Sequence, residues 1–200
     1  MKITLYMATS IDGFIAMKNG DSDWVSPAGV ADFEQKIADH GCLIVGHRTF
    51  TQFQGDLYPV KGVTNVVLVS KSPTPSSEKN VVYSLSPADA VRYLAENGHD
   101  KALLIGGGTT NGLFAMAGLI DEVYLCVHPL ILGNGIKLFG NLEFDVKLHL
   151  IGREDLNEGL TLLHYSVQKW ERAGGLVAEE RDLRAISLLS CNNFFGTIPA

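Results

Sequence analysis

Three short stretches place hydrogen-bond donors and positive charge directly after apolar runs: "LIVGHRTF" (43–50), "VLVSKSP" (67–73) and "KALLIGGGTTNGLF" (101–114). They end in Gly46-His47-Arg48-Thr49, Ser70-Lys71-Ser72 and Gly106-Gly107-Gly108-Thr109-Thr110. Amides at a helix start, aided by the helix dipole, attract an anion. Glycine lets a ligand approach the backbone closely. An arginine can clamp a phosphate with two parallel hydrogen bonds, and a lysine adds a point charge. In a parallel sheet all three segments fall beyond the carboxyl ends of strands, where ligands bind. Together they supply what a dinucleotide with several phosphates needs. Taken singly, "IGGGT" is either a phosphate cradle or a tight turn, since it is neither GxGxxG nor a Walker loop. Arg48 and Lys71 also have plain alternatives, as a solvated surface charge and a loop lysine.

Other side chains divide in the same way. Asp12, in "SIDGFIA", is a candidate acid or a loop cap, a common role for aspartate before glycine. Asp32 is a second acid near a helix start. Trp24 and Phe53 can line a pocket or belong to the core. His128 closes a strand before Pro129 and is a structural strand end or a proton donor near neutral pH. Cys42, Cys126 and Cys191 are too few and too scattered for a disulfide framework or a CxxC metal site. His149 and His164 do not make a metal site by themselves. Nowhere does a His-x-Glu accompany Pro-Cys-x-x-Cys, the zinc set of a deaminase.

The elements that must position these residues follow from pattern. "KITLYMA" alternates Ile3, Leu5 and Met7 with polar neighbours and reads as a strand. Ser26-Pro27 opens a helix with Val30, Phe33, Ile37 and Ala38 as its stripe and Gly41 as its stop. "CLIVG", "TNVVLVS" and "VVYSL" are strands. Ser86-Pro87-Ala88-Asp89 opens a second helix with Val91, Leu94 and Ala95 as its stripe and Gly98 as its stop. "KALLI" is a strand, Thr109 to about Ala117 a short helix, and "EVYLCVH" a strand. "FDVKLHLIGRED" and "LTLLHYSVQKW", joined through Asn157-Glu158-Gly159, predict a terminal antiparallel hairpin. The class is therefore α/β, a mostly parallel sheet with an antiparallel end.

The 200 residues suit one domain with a substantial core, 46% being hydrophobic. A net charge of −6 argues against a nucleic-acid partner. No apolar run approaches the roughly 20 residues that cross a bilayer. "MKITLYMATS" does not read as a signal peptide, and the few, scattered cysteines lead to the expectation of a reducing cytoplasm. Residues 171–200 form a C-terminal extension after a Gly-Gly break. One amphipathic helix near Leu183 and Ile186 is expected there, and Phe194, Phe195 and Ile198 either pack against a surface or belong to a loose terminus.

The ordered set "SIDGFIA" (10–16), "DW" (23–24), "GHRTF" (46–50), "VVLVSKS" (66–72), "LLIGGGTTNGLF" (103–114) and "LIDEVYLCVHPLILGNGIKLF" (119–139) resembles the dihydrofolate-reductase-like superfamily. It is most similar to the branch holding the C-terminal reductase domain of riboflavin biosynthesis, over residues 1–170. The resemblance implies a three-layer fold with a mixed sheet of about eight strands and an NADPH-dependent reductase acting on a small heterocycle. It also implies a cis peptide between the first two glycines of the turn. Gly46, His47, Arg48 and Thr49 would hold the pyrophosphate and the phosphate on the adenosine ribose. Ser70 and Lys71 would flank the adenosine and select NADPH over NADH. Gly106, Gly107, Gly108, Thr109 and Thr110 would contact the pyrophosphate, with Ala8 and Ile15 about the nicotinamide. Trp24, Asp32 and Phe53 would face the substrate, with Asp12 the first choice for an acid that touches it.

The chain departs from both branches of that superfamily. Aligning on Trp24 and Phe33 puts Gly29 where folate reductases carry a carboxylate, which counts against dihydrofolate. Ile105 stands where the riboflavin branch commonly has an acid. Three readings remain at this point: a reductase of the 5-amino-6-(5-phosphoribosylamino)uracil type, a dihydrofolate or pterin reductase, and an NADPH-binding protein without turnover. The alternating strands 144–170 make a homodimer plausible.

Overall fold

The computed structural model describes residues 1–71, 76–156 and 159–168. Ser72, the Asn157-Glu158 pair of the hairpin turn and the 171–200 extension lie outside the described residues. Met1–Gln168 form one compact unit.

An eight-stranded sheet has the order β5-β4-β3-β6-β1-β7-β10-β9. Its strands are β1 (Lys2–Ser10), β3 (Cys42–Gly46), β4 (Thr64–Leu68), β5 (Val81–Ser84), β6 (Lys101–Leu104), β7 (Glu122–His128), β9 (Leu148–Asp155) and β10 (Thr161–Val167). β5 through β7 run parallel, whereas β10 pairs antiparallel with both β7 and β9. β2 (Phe14–Ala16) and β8 (Ile136–Lys137) make a separate antiparallel pair. The α/β class and the antiparallel end agree with the sequence.

Helices α1 (Pro27–His40) and α2 (His47–Gln52) belong to one face, and α3 (Pro87–Glu96) and α4 (Gly108–Met116) to the other. One core holds Ile3, Leu5, Ile44, Leu104 and Phe114. The second holds Tyr6, Leu43, Val45, Leu103 and Ile105. Every residue of β3 is buried, as expected for a strand covered on both faces.

Local chemistry sets the helix ends. Ser26 caps α1 by accepting a hydrogen bond from the Gly29 amide at 3.3 Å, and Gly41 closes it at φ 68°. Ser86 accepts from the Asp89 amide and donates to its carboxylate, at 3.1 and 2.6 Å. A serine cap of this kind stabilises by about 1 kcal/mol.

Helix faces differ from expectation. Val30 and Ala38 are exposed, and α1 turns Gly29, Phe33 and Ile37 inward. The reason is Gly29, which lets the helix start settle against Cys126 and His128 of β7. On α3, Ala90 is buried and Ala95 faces solvent. The short elements β2, β8 and α2 were not expected, because two to six residues are too few for periodicity to register. Among the described residues, no helix is long and apolar enough to cross a membrane.

Candidate functional site

β4, β3 and β6 are neighbours, so their carboxyl ends present the three donor segments side by side. The Gly46 amide donates to the Gly106 carbonyl at 2.7 Å. A Cβ on Gly46 would run into Thr110 Oγ1, and one on Gly107 would stand 2.9 Å from Thr49 Oγ1. Glycine is needed here for close approach of two turns. The peptide Gly106-Gly107 is cis, as the resemblance implies.

Gly107 is the N-cap of α4 and makes no side-chain cap bond, and the first turn of α4 has no acid. The first amides of a helix lack intrahelical partners, and no side chain among the described residues caps this one. Thr110 and Gly108 are buried, and Thr109 is exposed at the mouth. His47, Arg48, Ser70 and Lys71 are exposed around the rim, with Thr49 half-buried between them and the turn. The structure thus brings the proposed phosphate-side residues to one edge of the sheet.

Ala8 lies on β1 opposite Cys126, and Ile15 is buried in β2. The loop after β2 reaches the same region, since Gln52 of α2 donates to the Gly20 carbonyl at 2.9 Å.

Asp12 is engaged between two loops. Its carboxylate accepts from the Ser10 hydroxyl at 2.6 Å and from the Leu132 and Gly133 amides at 3.1 and 2.7 Å. The Ser10 hydroxyl, with those amides, holds its carboxyl below the usual carboxylate range. Asp12 clamps two loops together, which matches the loop-cap alternative. An ionised carboxylate with these partners has no proton to give.

His128 is also committed. The Cys126 carbonyl can only accept, so Nδ1, 3.0 Å away, carries the hydrogen. The Ser26 amide can only donate, so Nε2, at 3.2 Å, accepts. Burial pushes the imidazole below its ordinary pKa. His128 is a neutral clamp between α1 and β7, with Trp24 edge-on at 5.1 Å between ring centroids. A Cβ at Gly29 would lie 3.2 Å from His128 Nε2. A side chain at position 29 would press on this ring.

Asp32 sits apart from the glycine turns. It lies 3.9 Å from Lys36 Nζ and lines an open cleft of about 370 Å³ with Ala28, Ala31, Glu154, Asp155 and Leu156. Burial pushes the Tyr6 hydroxyl up, and the neighbouring Cys126 and Asp32 add to the effect. Phe53 ends α2 and packs on the core of the α1 face. Among the described residues, no group of three His, Cys, Asp or Glu could hold a metal ion.

Sequence reasoning passed over Asn111, which is fully buried on α4 beneath the glycine turn. The available signal was the spacing of Gly108 and Gly112, which puts two glycines on one helix face.

The profile of the RibD C-terminal domain family matches residues 1–162. The chain belongs to this family. Among its relatives, the uncharacterised protein YwjB of Bacillus subtilis is 30% identical over 174 residues, covering 82% of this chain and 97% of that one. The riboflavin biosynthesis protein RibD of Bacillus amyloliquefaciens is 25% identical, covering 66% of this chain but 46% of its own length. A Shewanella sp. PV-4 protein, solved as a candidate riboflavin biosynthesis protein, superposes with a TM-score of 0.70 at 29% identity. That match covers 84% of this chain and all of the other. The RibD C-terminal domain family is a family of reductases, which places this chain among reductase-like proteins.

Proposed function

We propose that the protein is an NADPH-dependent reductase that delivers a hydride to a small heterocycle, of the 5-amino-6-(5-phosphoribosylamino)uracil reductase type. The observation that carries this reading is the Gly46–Gly106 hydrogen bond, which joins two donor loops into one cradle. The cradle fits a dinucleotide: side-chain-free glycines line it, an uncapped helix start opens into it, and Arg48 and Lys71 stand at its rim. When bound, the reduced nicotinamide supplies the hydride.

The chain's own residues hold and orient. Amides of Gly107 to Thr109 and the Thr49 hydroxyl receive the pyrophosphate. Arg48 and Lys71 receive the phosphate on the adenosine ribose. Ala8 and Ile15 bound the nicotinamide side, and Trp24 faces the substrate. Asp12 and His128 keep their hydrogen bonds and release no proton, so the proton reaches the substrate from water. The protein acts in the cytoplasm as a homodimer joined through β9 and β10, whose edge exposes Leu148, Leu150 and Ile151.

A dihydrofolate or pterin reductase is the less favoured reading, because Gly29 stands at the position of the expected acid and packs closely against His128. The experiment is loss of reduced-nicotinamide absorbance when pyrimidine and pterin substrates are added in turn to enzyme and NADPH. Oxidation with an aminouracil carrying a ribosyl phosphate supports the reading. Oxidation with dihydrofolate alone favours the second. Tight NADPH binding without oxidation by any substrate leaves a binding protein without turnover.

A further inference from the structure

Asn111 is 0% exposed, and its side chain is only half satisfied. Nδ2 donates to the Leu138 carbonyl at 2.9 Å. Oδ1 has no hydrogen-bond partner among the described residues. A buried acceptor left unpaired is costly, so asparagine is a poor choice here for stability alone. What its satisfied arm does is fix the place of Leu138.

Leu138 belongs to a strap, residues 136–140, that crosses the first turns of α4. A Cβ on Gly108 would run into the Lys137 carbonyl, and one on Gly112 would stand 2.6 Å from the Phe139 carbonyl. The strap's other side is held by the loop that carries Ile15. The Leu138 amide donates to the Gly13 carbonyl at 3.2 Å, and Phe14 and Ala16 pair with Lys137 and Ile136. Asn111 therefore stands between two groups of residues, the glycine turn before it and the β2–β8 pair across from it.

We infer that Asn111 is a positioning residue for the dinucleotide: by holding the Leu138 carbonyl, it keys the strap to α4 and keeps the Gly107–Thr109 amides and the Ile15 loop in one fixed relation. This rests on the cofactor reading of the glycine turn. Asn111 touches no ligand and acts through the backbone on either side of it. Its loss loosens the cradle without removing any group from it.

The test is titration of the full chain with NADPH for wild type, Asn111→Asp and Asn111→Leu, reading dissociation constant and stoichiometry separately, with thermal melting alongside. Leu removes both polar arms and is expected to raise the dissociation constant by about tenfold, the scale of one lost buried hydrogen bond, at unchanged stoichiometry. Asp keeps the size of the side chain, and a site this buried holds it as the neutral acid, which still donates to the Leu138 carbonyl, so it is expected to stay within about threefold of wild type. A merely structural role would lower the stoichiometry, as protein is lost to unfolding, and leave the constant alone. That result, or wild-type affinity in Asn111→Leu, overturns the inference. Should the Asn111 variants fail to fold, Gly112→Ala, which pushes on Phe139 and Leu142, decides by the same two readouts. If wild type itself fails to bind NADPH, the cofactor reading falls and the inference with it. Binding by wild type with an unaltered Asn111→Leu removes the inference alone.

Discussion

The amide of Gly46 and the carbonyl of Gly106 are 2.7 Å apart, and that hydrogen bond ties the end of β3 to the turn after β6. Two segments 60 residues apart in sequence thereby become one surface. Around it, the glycines are required for space, whereas the charged residues stand exposed at the rim, so the two kinds of substitution have separable effects.

Gly46→Ala drives a methyl group into Thr110 Oγ1. Such overpacking destabilises by about 1–3 kcal/mol, and a urea melt of the variant reads it directly. Thr110→Ala in the same chain removes the obstructing oxygen. The double variant is therefore expected to melt above Gly46→Ala alone, a coupling between the two sites.

Arg48 and Lys71 line the rim without contributing to the core. Alanine at either is expected to weaken NADPH by about tenfold while changing NADH by less than about threefold, because only NADPH carries the phosphate they would hold. Calorimetric titration with both nucleotides at one ionic strength gives the two ratios. Equal losses would remove the assignment to the ribose phosphate.

Much of this architecture is legible in the sequence because it depends on neighbours in the chain. Ser26 before Pro27, Ser86 before Pro87 and Gly41 after the first helix each mark a helix end through a local hydrogen bond or backbone angle. The three donor segments were legible as strand ends, and parallel pairing placed them together. What could not be read depends on partners far away. Asp12 becomes a clamp through Leu132 and Gly133, and His128 is held in place by its hydrogen bond from Ser26. Asn111 owes its place to Leu138, and Val30 turns outward because Gly29 fits against β7.

Asp12→Asn separates a clamp from an acid. Asparagine retains an acceptor for part of the Ser10, Leu132 and Gly133 set. Turnover within about tenfold of wild type is expected, whereas loss of a general acid costs about 10²–10⁴ in rate. Steady-state rates with a competent substrate decide between them.

His128 gives the fold a pH dependence of known sign. Burial lowers its pKa from 6.5, so the unfolded chain binds the proton more readily than the folded one. Its contribution to stability is complete above the unfolded value and is lost as pH falls through the folded one. His40 shifts the same way, also chiefly by burial. The lowered Asp12 acts only in a more acidic window, below its own ordinary value of 3.8. Melting temperature is expected to fall between about pH 7.5 and about pH 5.5, with a shallower slope in His128→Asn. An unchanged slope in that variant would assign the effect elsewhere.

The most direct measurement is titration of the purified chain with NADPH and then NADH at one salt concentration. Saturable NADPH binding is expected, one per chain, at least about tenfold tighter than NADH, the difference a charge-assisted phosphate clamp supplies. Absence of binding by either nucleotide would contradict the cofactor reading, leaving Gly106-Gly107-Gly108 as a turn and the family's fold without its cofactor.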